Sequence, residues 1–356
     1  MPNRFERIRR RLAEQDADAL LLSFLPNIRW ACGFTGSNGL LLVGPEKATF
    51  VTDGRYTEQA RQEVSGADVI IARNGLMTRL MEGGYLEGYS QVIFEADDVT
   101  VSKRQQLEEE CSTIEWQPIS GLLTRDVAVK EDPEIRQIRR AQAVTEAVFD
   151  HILTQVEPGR SEREIAAEII YDHLRRGAEK MAFDPIVASG PNAARPHARP
   201  TDRTLQEGDL VVLDMGCILD GYASDMTRTV AIGDPGPEAR EGYELVRRAQ
   251  KQALVHARAG LIAKEVDAMA RDVIAEEGME EYFSHGLGHG IGLQVHEWPR
   301  VSHTSEDELP SGVCVTIEPG IYVPEEQYGV RIEDIVVLQS GGIENLTTTS
   351  KELRVL

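Results

Sequence analysis

The chain has 356 residues, 41% of them hydrophobic, and is therefore long enough for two domains with substantial buried cores. Its 59 acidic and 38 basic residues give a net charge of −21, which argues against nucleic-acid binding, since that requires a concentrated basic surface. No apolar run approaches the roughly 20 residues that cross a membrane, and the basic segment 4–15 is unlike a signal peptide. Four cysteines without metal-site or disulfide-framework spacing indicate a reducing compartment, so we expect a cytoplasmic protein.

Short β-type runs alternate with helical segments in the first third of the chain. The runs that favour strands are 19–23, 39–43, 48–52, 68–72 and 92–95. Helical segments lie among them at 57–64 and 100–111, and an amphipathic helix within 4–15 precedes the first run. This alternation predicts a small α/β domain over residues 1–125.

A second block with longer helices follows. Asp132 and Pro133 predict an N-cap and the first residue of a helix that extends to about 156. Ser161 and Glu164 have the spacing of a capping box, which predicts a helix to about 176. Further helices are predicted near 238–258 and 264–277. Because β-rich runs separate these helices, we expect residues 126–356 to form an α+β domain in which helices cover one curved antiparallel sheet.

The first β-hairpin of this block carries two aspartates. Its runs, 208–214 and 222–230, flank the turn signal Leu219-Asp220-Gly221. A turn centred on 219 and 220 sets Asp214 opposite Asp225, whereas a turn centred on 220 and 221 makes them diagonal neighbours on the same face. Opposed residues have Cβ atoms about 4.5–5.5 Å apart, which suits carboxylates that hold two ions about 3.5–4 Å apart.

A second hairpin repeats this arrangement with two glutamates. The β-rich runs 313–318 and 330–338 flank a polar loop, and a loop centred between 325 and 326 sets Glu318 opposite Glu333. Two hairpins that each present an acidic pair indicate two similar halves facing a shared site. Buried carboxylates this close repel one another strongly, so we expect cations to be bound there.

The set of candidate ligands points to a particular kind of metal site. Three histidines lie within twelve residues of a glycine-rich segment that separates the two hairpins. The candidate metal ligands are Asp214, Asp225, His289, Glu318 and Glu333. Four carboxylates and one imidazole differ from the thiolates and imidazoles of a structural zinc site, and they suit a pair of harder divalent ions. We therefore interpret the chain as a two-metal hydrolase.

The motifs that carry these residues, around 214–230, 285–299 and 317–334, resemble those of the Xaa-Pro peptidases. That family comprises aminopeptidase P, prolidase and their relatives with the pita-bread catalytic fold, and the resemblance covers nearly the whole chain. It implies two divalent metal ions, most often manganese, with cobalt or zinc as alternatives, and a homodimer.

The resemblance also implies a role for each candidate residue. Asp225 and Glu333 would contact both ions, Asp214 would contact one, and the remaining two ligands the other. The residues implied in catalysis are His285, His296 and Glu318, the last as acceptor of a proton from the attacking water. The residues implied in substrate binding are His197, Arg300, Tyr322 and Arg331. Relatives often read Leu-Pro-His-Gly where this chain has Arg-Pro-His-Ala at 195–198, so the rim of the substrate pocket departs from the family pattern.

Several functions fit this pattern. We expect an Xaa-Pro aminopeptidase, which removes the residue before proline from a proline-containing peptide. The alternative is an Xaa-Pro dipeptidase, a prolidase, which accepts only two-residue substrates. A metal-free creatinase-like or non-catalytic relative is disfavoured because all five ligand positions are intact. A methionine aminopeptidase shares the ligand set but typically lacks a domain like residues 1–125.

Overall fold

The computed structural model describes residues 3–356 and divides into two compact units. The first unit runs through Val127, and the second comprises Ala128–Leu356. No helix within the described residues is long and apolar enough to cross a membrane.

The first unit is built on a six-stranded mixed sheet with the order β4-β3-β2-β1-β5-β6. Its strands are β1 Ala19–Leu22, β2 Leu40–Val43, β3 Ala48–Asp53, β4 Asp68–Ala72, β5 Gln91–Glu95 and β6 Glu115–Ile119. Its helices are α1 Arg4–Glu14, α2 Leu25–Cys32, α3 Thr57–Glu63, α4 Leu76–Glu82, α5 Val101–Glu110 and α6 Thr124–Ala128. The antiparallel pairs are β1/β2 and β2/β3, and the other pairs are parallel. An α/β architecture is therefore confirmed for this unit.

Each of the five predicted β runs of the first unit matches a strand to within one residue at each end, but the sixth strand was not predicted from the sequence. β6 reads Glu-Trp-Gln-Pro-Ile, and its proline, Pro118, pairs with Phe94 of β5. Proline lacks the N–H that a central strand needs, so it argues against a strand except at an edge. β6 lies at the edge of the sheet, where this residue is tolerated.

The second unit contains four long helices close to the predicted positions. They are α7 Asp132–Ile152, α8 Glu162–Arg175, α9 Pro237–His256 and α10 Ala263–Glu276. The capping box of α8 is confirmed, since the Ser161 hydroxyl accepts from the Glu164 N–H at 3.2 Å and the Glu164 carboxylate accepts from the Ser161 N–H at 2.8 Å. Asp132 as N-cap of α7 is wrong, because Glu131 occupies that position and its N–H donates to the Glu134 carboxylate.

Fourteen strands complete the second unit. They are β7 Lys180–Met181, β8 Ile186–Ser189, β9 Leu210–Met215, β10 Cys217–Leu219, β11 Tyr222–Ala223, β12 Met226–Ala231, β13 Gly288–Gly290, β14 Glu297–Val301, β15 Cys314–Ile317, β16 Gly320–Val323, β17 Tyr328–Arg331, β18 Asp334–Gln339, β19 Gly342–Asn345 and β20 Arg354–Val355. They form four hydrogen-bonded groups, β11-β10-β7, β20-β12-β9-β8, β14-β13-β15-β18-β19 and β16-β17. All pairs are antiparallel except β12 with β20.

The first acidic hairpin turns at Asp220 and Gly221, which have φ angles of 46° and 75°. Positive φ at both central residues is the mark of a type I′ hairpin turn. The register therefore pairs Asp214 with Thr227, and Asp225 is a diagonal neighbour of Asp214. Of the two registers considered, the one with Asp214 directly opposite Asp225 is wrong.

The second acidic hairpin keeps one register throughout its length. Ile317 pairs with Asp334 at the end of β15, and Gly320 pairs with Arg331 at the start of β16. The glutamates Glu318 and Glu333 lie between these two pairs at facing positions, as the predicted loop centre requires.

In both hairpins the ladder of hydrogen bonds between the two strands is interrupted halfway along. The single sheet expected from the sequence is therefore divided into several groups of strands. The first is interrupted at Gly216 and at Ser224-Asp225, and the second at 318–319 and 332–333. A Cβ atom at Gly216 would lie 2.1 Å from the Ser224 carbonyl oxygen, so the close approach at the first break requires glycine.

The helices pack behind these hairpins in two apolar clusters. Helices α7 and α8 pack against the strands of the first hairpin through residues such as Val148 and Leu213. Helices α9 and α10 pack against the second hairpin through residues such as Val246 and Ile317. Each half of the unit therefore consists of an acidic hairpin packed against two long helices.

Candidate metal centre

The four acidic residues lie at or beside the hairpin breaks and meet at one cavity. Asp214 is in β9, Asp225 precedes β12, Glu318 follows β15 and Glu333 precedes β18. The cavity has a volume of about 670 Å³, and all four carboxylates line it together with His289 of β13. The structure thus brings together all five residues predicted as metal ligands.

The ring of His289 is oriented to act as a ligand. Its Nδ1 atom lies 3.0 Å from the Gly290 carbonyl oxygen and must carry the hydrogen that is donated there. Its Nε2 atom then has a free lone pair, which faces Glu318 Oε1 at 3.3 Å and Asp225 Oδ2 at 3.7 Å. Burial lowers the pKa of His289, which favours the neutral ring that binds metals.

The oxygen atoms present fit a divalent cation. Ligand atoms of Asp225, His289 and Glu333 all lie within 4.8 Å of one another. Asp214 Oδ2 accepts a hydrogen bond of 2.6 Å from Arg331, but the buried Oδ1 atom has no hydrogen-bond partner among residues 3–356. A buried carboxylate oxygen without a partner is costly, and a hard divalent ion would satisfy it.

The electrostatics of the cavity also call for positive charge. Burial, then the nearby Glu333 and Asp214, raise the pKa of Asp225 well above its usual range. Burial, then Glu318 and Asp214, raise the pKa of Glu333 in the same way. Burial raises the pKa of Glu318 to about 7. The carboxylates cannot all be ionised together near neutral pH unless cations lie between them.

We expect the metal-free protein to lose stability as pH rises. The pKa of Glu318 is about 7 in the folded chain, against an ordinary value of 4.5. At pH values between these two pKa values, Glu318 keeps its proton in the folded state and loses it in the unfolded state. The contribution of Glu318 to the free energy of unfolding is therefore complete below the lower pKa and is lost as the pH rises to the upper one. The loss for this group is on the order of 3 kcal/mol, at about 1.4 kcal/mol per pKa unit. Urea unfolding in chelator at about pH 5 and about pH 7 measures it.

The variant Glu318→Gln is the control for this pH dependence, because it removes the titrating group and should reduce the slope. Manganese should stabilise the wild-type protein more at the higher pH, since protons compete with metal for the carboxylates. This explanation would be contradicted if, from the lower to the higher pH, the free energy of unfolding of the metal-free wild-type protein fell no more than that of the variant.

Arg331 holds two of the candidate ligands through hydrogen bonds, one directly and one through Thr227. Its guanidinium is buried and donates to Asp214 Oδ2 at 2.6 Å, to the Thr227 hydroxyl at 3.1 Å and to the Tyr322 hydroxyl at 2.7 Å. The Thr227 hydroxyl in turn donates to Glu333 Oε2 at 2.7 Å. Arg331 and Tyr322 both line the cavity, but these hydrogen bonds direct Arg331 towards the ligands.

The three other histidines predicted for the site also line the cavity. His285 contacts the Gly286 carbonyl oxygen through Nδ1 at 2.8 Å and the Tyr322 hydroxyl through Nε2 at 3.0 Å. Burial, with Arg331 nearby, lowers its pKa to about 4, so the ring is neutral. His296 is exposed, and its ring centroid lies 4.3 Å from that of His289. His197 is exposed as well.

Some residues of the cavity wall were not found from the sequence. Phe183, Ile186 and Trp298 contribute apolar surface, and no spacing singles them out. Glu297 lines the cavity and forms a salt bridge with Lys130, and the two side chains are only 8% and 1% exposed. The signal for Lys130 is a single basic residue directly after the apolar segment 127–129, but its partner lies far away in the chain.

Comparisons with protein families agree with this geometry. The family described as Metallopeptidase family M24 matches residues 136–340. The Creatinase/Prolidase N-terminal domain matches residues 4–126. The first match includes every predicted metal ligand.

Several proteins are similar to this chain over nearly its whole length. An Xaa-Pro dipeptidase from Bacillus anthracis has a structure with a TM-score of 0.95 and 38% sequence identity, covering 99% of both chains. An Xaa-Pro dipeptidase of Pyrococcus horikoshii is 37% identical, covering 94% of each chain. An X-Pro aminopeptidase from Thermotoga maritima has a structure with a TM-score of 0.90 and 35% identity, covering 99% of both chains.

Proposed function

The chain belongs to metallopeptidase family M24, and we propose that it is an Xaa-Pro dipeptidase, a prolidase, with two divalent metal ions. The expected aminopeptidase activity is less well supported, because the relatives at 37% and 38% identity carry the dipeptidase name. Aminopeptidase activity is the second candidate, favoured by the 35% identical structure that carries that name.

The position of Arg300 is the observation that carries the dipeptidase proposal. Arg300 pairs with the ligand His289 across strands β13 and β14, and it lines the cavity with its side chain exposed. Directly opposed residues have Cβ atoms about 5 Å apart, so the guanidinium is within reach of a group just beyond the scissile bond. The carboxylate that ends a dipeptide has the charge and shape to accept two hydrogen bonds from it. His197, which also lines the cavity, adds a second donor.

The cavity wall also suits proline. Phe183, Ile186 and Trp298 offer apolar surface for a saturated ring. Proline's imide nitrogen carries no hydrogen within a peptide, so the site has no donor to satisfy at that point. An ordinary residue after the scissile bond would leave an unpaired N–H in the site, which costs binding energy.

The residues of this chain would divide the work of hydrolysis among them. The five ligands would hold divalent ions, and the chemistry that these ions would supply is polarisation of the scissile carbonyl and a higher acidity of a bound water. Glu318 would accept the proton of the attacking water and return it to the proline nitrogen as the peptide bond breaks, and its position at the cavity supports this role. His296 would donate to the carbonyl oxygen as negative charge develops. His285 is hydrogen-bonded to the Tyr322 hydroxyl, and we propose that it helps to stabilise the same developing charge through that hydroxyl.

Manganese is the metal that we propose, with cobalt or zinc as alternatives. Hard oxygen ligands outnumber the single imidazole, and such a ligand set suits manganese. Structural zinc sites are rich in thiolates instead.

Substrate length tests the proposal directly. We expect the manganese-loaded protein to hydrolyse an Xaa-Pro dipeptide at least about tenfold faster, in kcat/KM, than the matching Xaa-Pro-Xaa-Xaa peptide or the dipeptide amide. The amide keeps the scissile bond and the ring but loses the charge, so a hydrogen bond to a charged group worth about 1.5–3 kcal/mol is lost. Equal or faster cleavage of the longer peptide would favour the aminopeptidase instead.

The variant Arg300→Ala identifies the residue that reads the carboxylate. Its KM for the dipeptide should rise about 10- to 100-fold, for the same 1.5–3 kcal/mol, while its kinetics on the dipeptide amide should match those of the wild-type protein. Arg300→Lys is the control that keeps the charge without the planar fork, and it should be intermediate. An unchanged KM in Arg300→Ala would remove this residue from the substrate site.

Two expectations from the sequence also stay proposals. We propose a homodimer on the family resemblance alone, and light scattering that gave the 39.5 kDa mass of one chain would contradict it. We propose a cytoplasmic location because all four cysteines are free thiols, and fractionation that recovered the protein elsewhere would contradict it.

A further inference from the structure

A buried glutamine behind the second acidic hairpin links two of its strands. Gln250 lies on α9 and is fully buried. Its Nε2 atom donates to the Ile317 carbonyl oxygen at 3.2 Å and to the Ile332 carbonyl oxygen at 3.1 Å. These carbonyls belong to the peptide groups that join Ile317 to Glu318 and Ile332 to Glu333. One carboxamide therefore bridges the two peptide groups that carry the glutamate ligands.

Both donors of the carboxamide are used, and its orientation is unambiguous. The two partners are carbonyl oxygens, which can only accept, so the NH₂ group must face them. The Gln250 Oε1 atom has no hydrogen-bond partner among residues 3–356. An unsatisfied buried acceptor is costly, so side-chain packing alone does not explain why a carboxamide occupies this position.

The same two peptide groups are held from their other side. The Glu318 N–H donates to the Leu287 carbonyl oxygen at 2.8 Å, and the Glu333 N–H donates to the Thr227 carbonyl oxygen at 3.1 Å. Leu287 precedes the ligand His289 by two residues, and Thr227 follows the ligand Asp225 by two residues. The hairpin ladder is interrupted here, so Gln250 supplies the contact that ties these peptide groups to each other.

The first hairpin has a counterpart on its own helix. Gln142 on α7 is fully buried, and its Oε1 atom accepts from the Asp225 N–H at 3.4 Å. The number of residues from Gln142 to Asp225 equals the number from Gln250 to Glu333. In each half of the unit, a long helix thus extends a buried glutamine to the strand break that carries a ligand.

From these contacts we propose that Gln250 is a positioning residue that sets the separation of Glu318 and Glu333, and through them the spacing of the two metal ions. The inference rests on the metal centre of the proposed function and not on its substrate. Without the carboxamide, two buried carbonyls lose their donor and the two ligand-bearing peptides can move apart. Metal affinity should fall, because ligand geometry is fixed by groups outside the ligands themselves.

Metal binding in Gln250→Met tests this inference, since methionine keeps the length and bulk of the side chain and removes both donors. We expect manganese, titrated calorimetrically into chelator-treated protein, to bind about 10- to 100-fold more weakly than in the wild type. The electron paramagnetic resonance signal of an exchange-coupled manganese pair, which depends on ion separation, should weaken or change.

Val246→Ala is the matched control, because Val246 is fully buried on the same helix in the apolar cluster behind the second hairpin, but its side chain has no polar group that could hold the ligand-bearing peptides. It should lower the unfolding temperature yet bind manganese within about twofold of the wild type. Gln250→Glu provides a second, nearly isosteric variant with at most one donor, and its affinity should also fall. Wild-type affinity and an unchanged coupled signal in both Gln250 variants would overturn the inference.

This experiment is independent of the substrate assignment. If the wild type bound a manganese pair but did not cleave Xaa-Pro dipeptides, the proposed function would fail while a weakened Gln250→Met would still support the inference. Weakened binding in Val246→Ala equal to that in Gln250→Met would overturn the inference, because general loosening of the core would then explain both.

Discussion

Replacing Asp225 with asparagine should remove bound metal and reduce Xaa-Pro hydrolysis by about a thousandfold or more. Asp225 is buried and lies within 4.8 Å of ligand atoms of both His289 and Glu333. Asparagine keeps the shape of the side chain but removes the negative charge with which the carboxylate attracts cations. Several kcal/mol of transition-state stabilisation depend on the ions, and each 1.4 kcal/mol corresponds to a factor of ten in rate. Elemental analysis and turnover of the same preparation measure both effects.

The control for this substitution is Asp220→Asn, a change of the same chemistry in the same hairpin. Asp220 lies at the turn with its side chain 51% exposed, and asparagine tolerates the positive φ found there. Metal content and rate of Asp220→Asn should equal those of the wild type. Asp225→Asn protein that kept both ions and a normal rate would show that the ligand assignment is wrong.

Replacing Lys130 with methionine should destabilise the fold by about 3–5 kcal/mol, the usual cost of leaving one member of a buried ion pair without its partner. Lys130 and Glu297 are 1% and 8% exposed, so water cannot replace the lost contact. Burial already raises the pKa of Glu297, and loss of the lysine would raise it further. Equilibrium urea unfolding gives the free-energy difference.

An exposed ion pair provides the comparison. Lys264 and Glu306 are 44% and 74% exposed, so Lys264→Met should cost at most about 1 kcal/mol. The double variant Lys130→Met, Glu297→Met should recover much of the lost stability, because an apolar pair of similar size leaves no buried charge. Equal destabilisation by Lys130→Met and Lys264→Met would contradict a structural role for the buried pair.

The metal-ligand candidates were visible in the sequence because each lies in a dense local motif. Asp214, Asp225, Glu318 and Glu333 end or interrupt apolar β runs, and their hairpins bring them together through local turns. The capping box at Ser161 was also predictable from the sequence, since both of its partners lie within one helical turn. Motifs of this kind depend on contacts between residues close in the chain.

Strand register and contacts between residues far apart in the chain were harder to predict from the sequence. The turn signal at 219–221 allowed two registers that differ only in which residue pair adopts positive φ, and the structure has Asp220-Gly221. The contacts of Lys130 with Glu297 and of Gln250 with Ile317 join residues far apart in sequence. Polar residues of these types usually lie on the surface, so their burial follows from tertiary packing and leaves no local pattern.

The sequence predicts an aminopeptidase, whereas the proposed function is that of a dipeptidase. Arg300 was identified from the sequence, but an arginine near a metal site is compatible with either substrate length. Its pairing with His289 across β13 and β14 is the observation on which the proposed contact with a dipeptide carboxylate rests. The names of similar proteins then favoured the shorter substrate.

The metal content of the active protein tests the central claim most directly. We expect elemental analysis of protein that hydrolyses an Xaa-Pro dipeptide to find two divalent ions per chain, chelation to remove the ions and the activity together, and manganese to restore both. Full turnover by protein shown by the same analysis to be metal-free would contradict a two-metal peptidase.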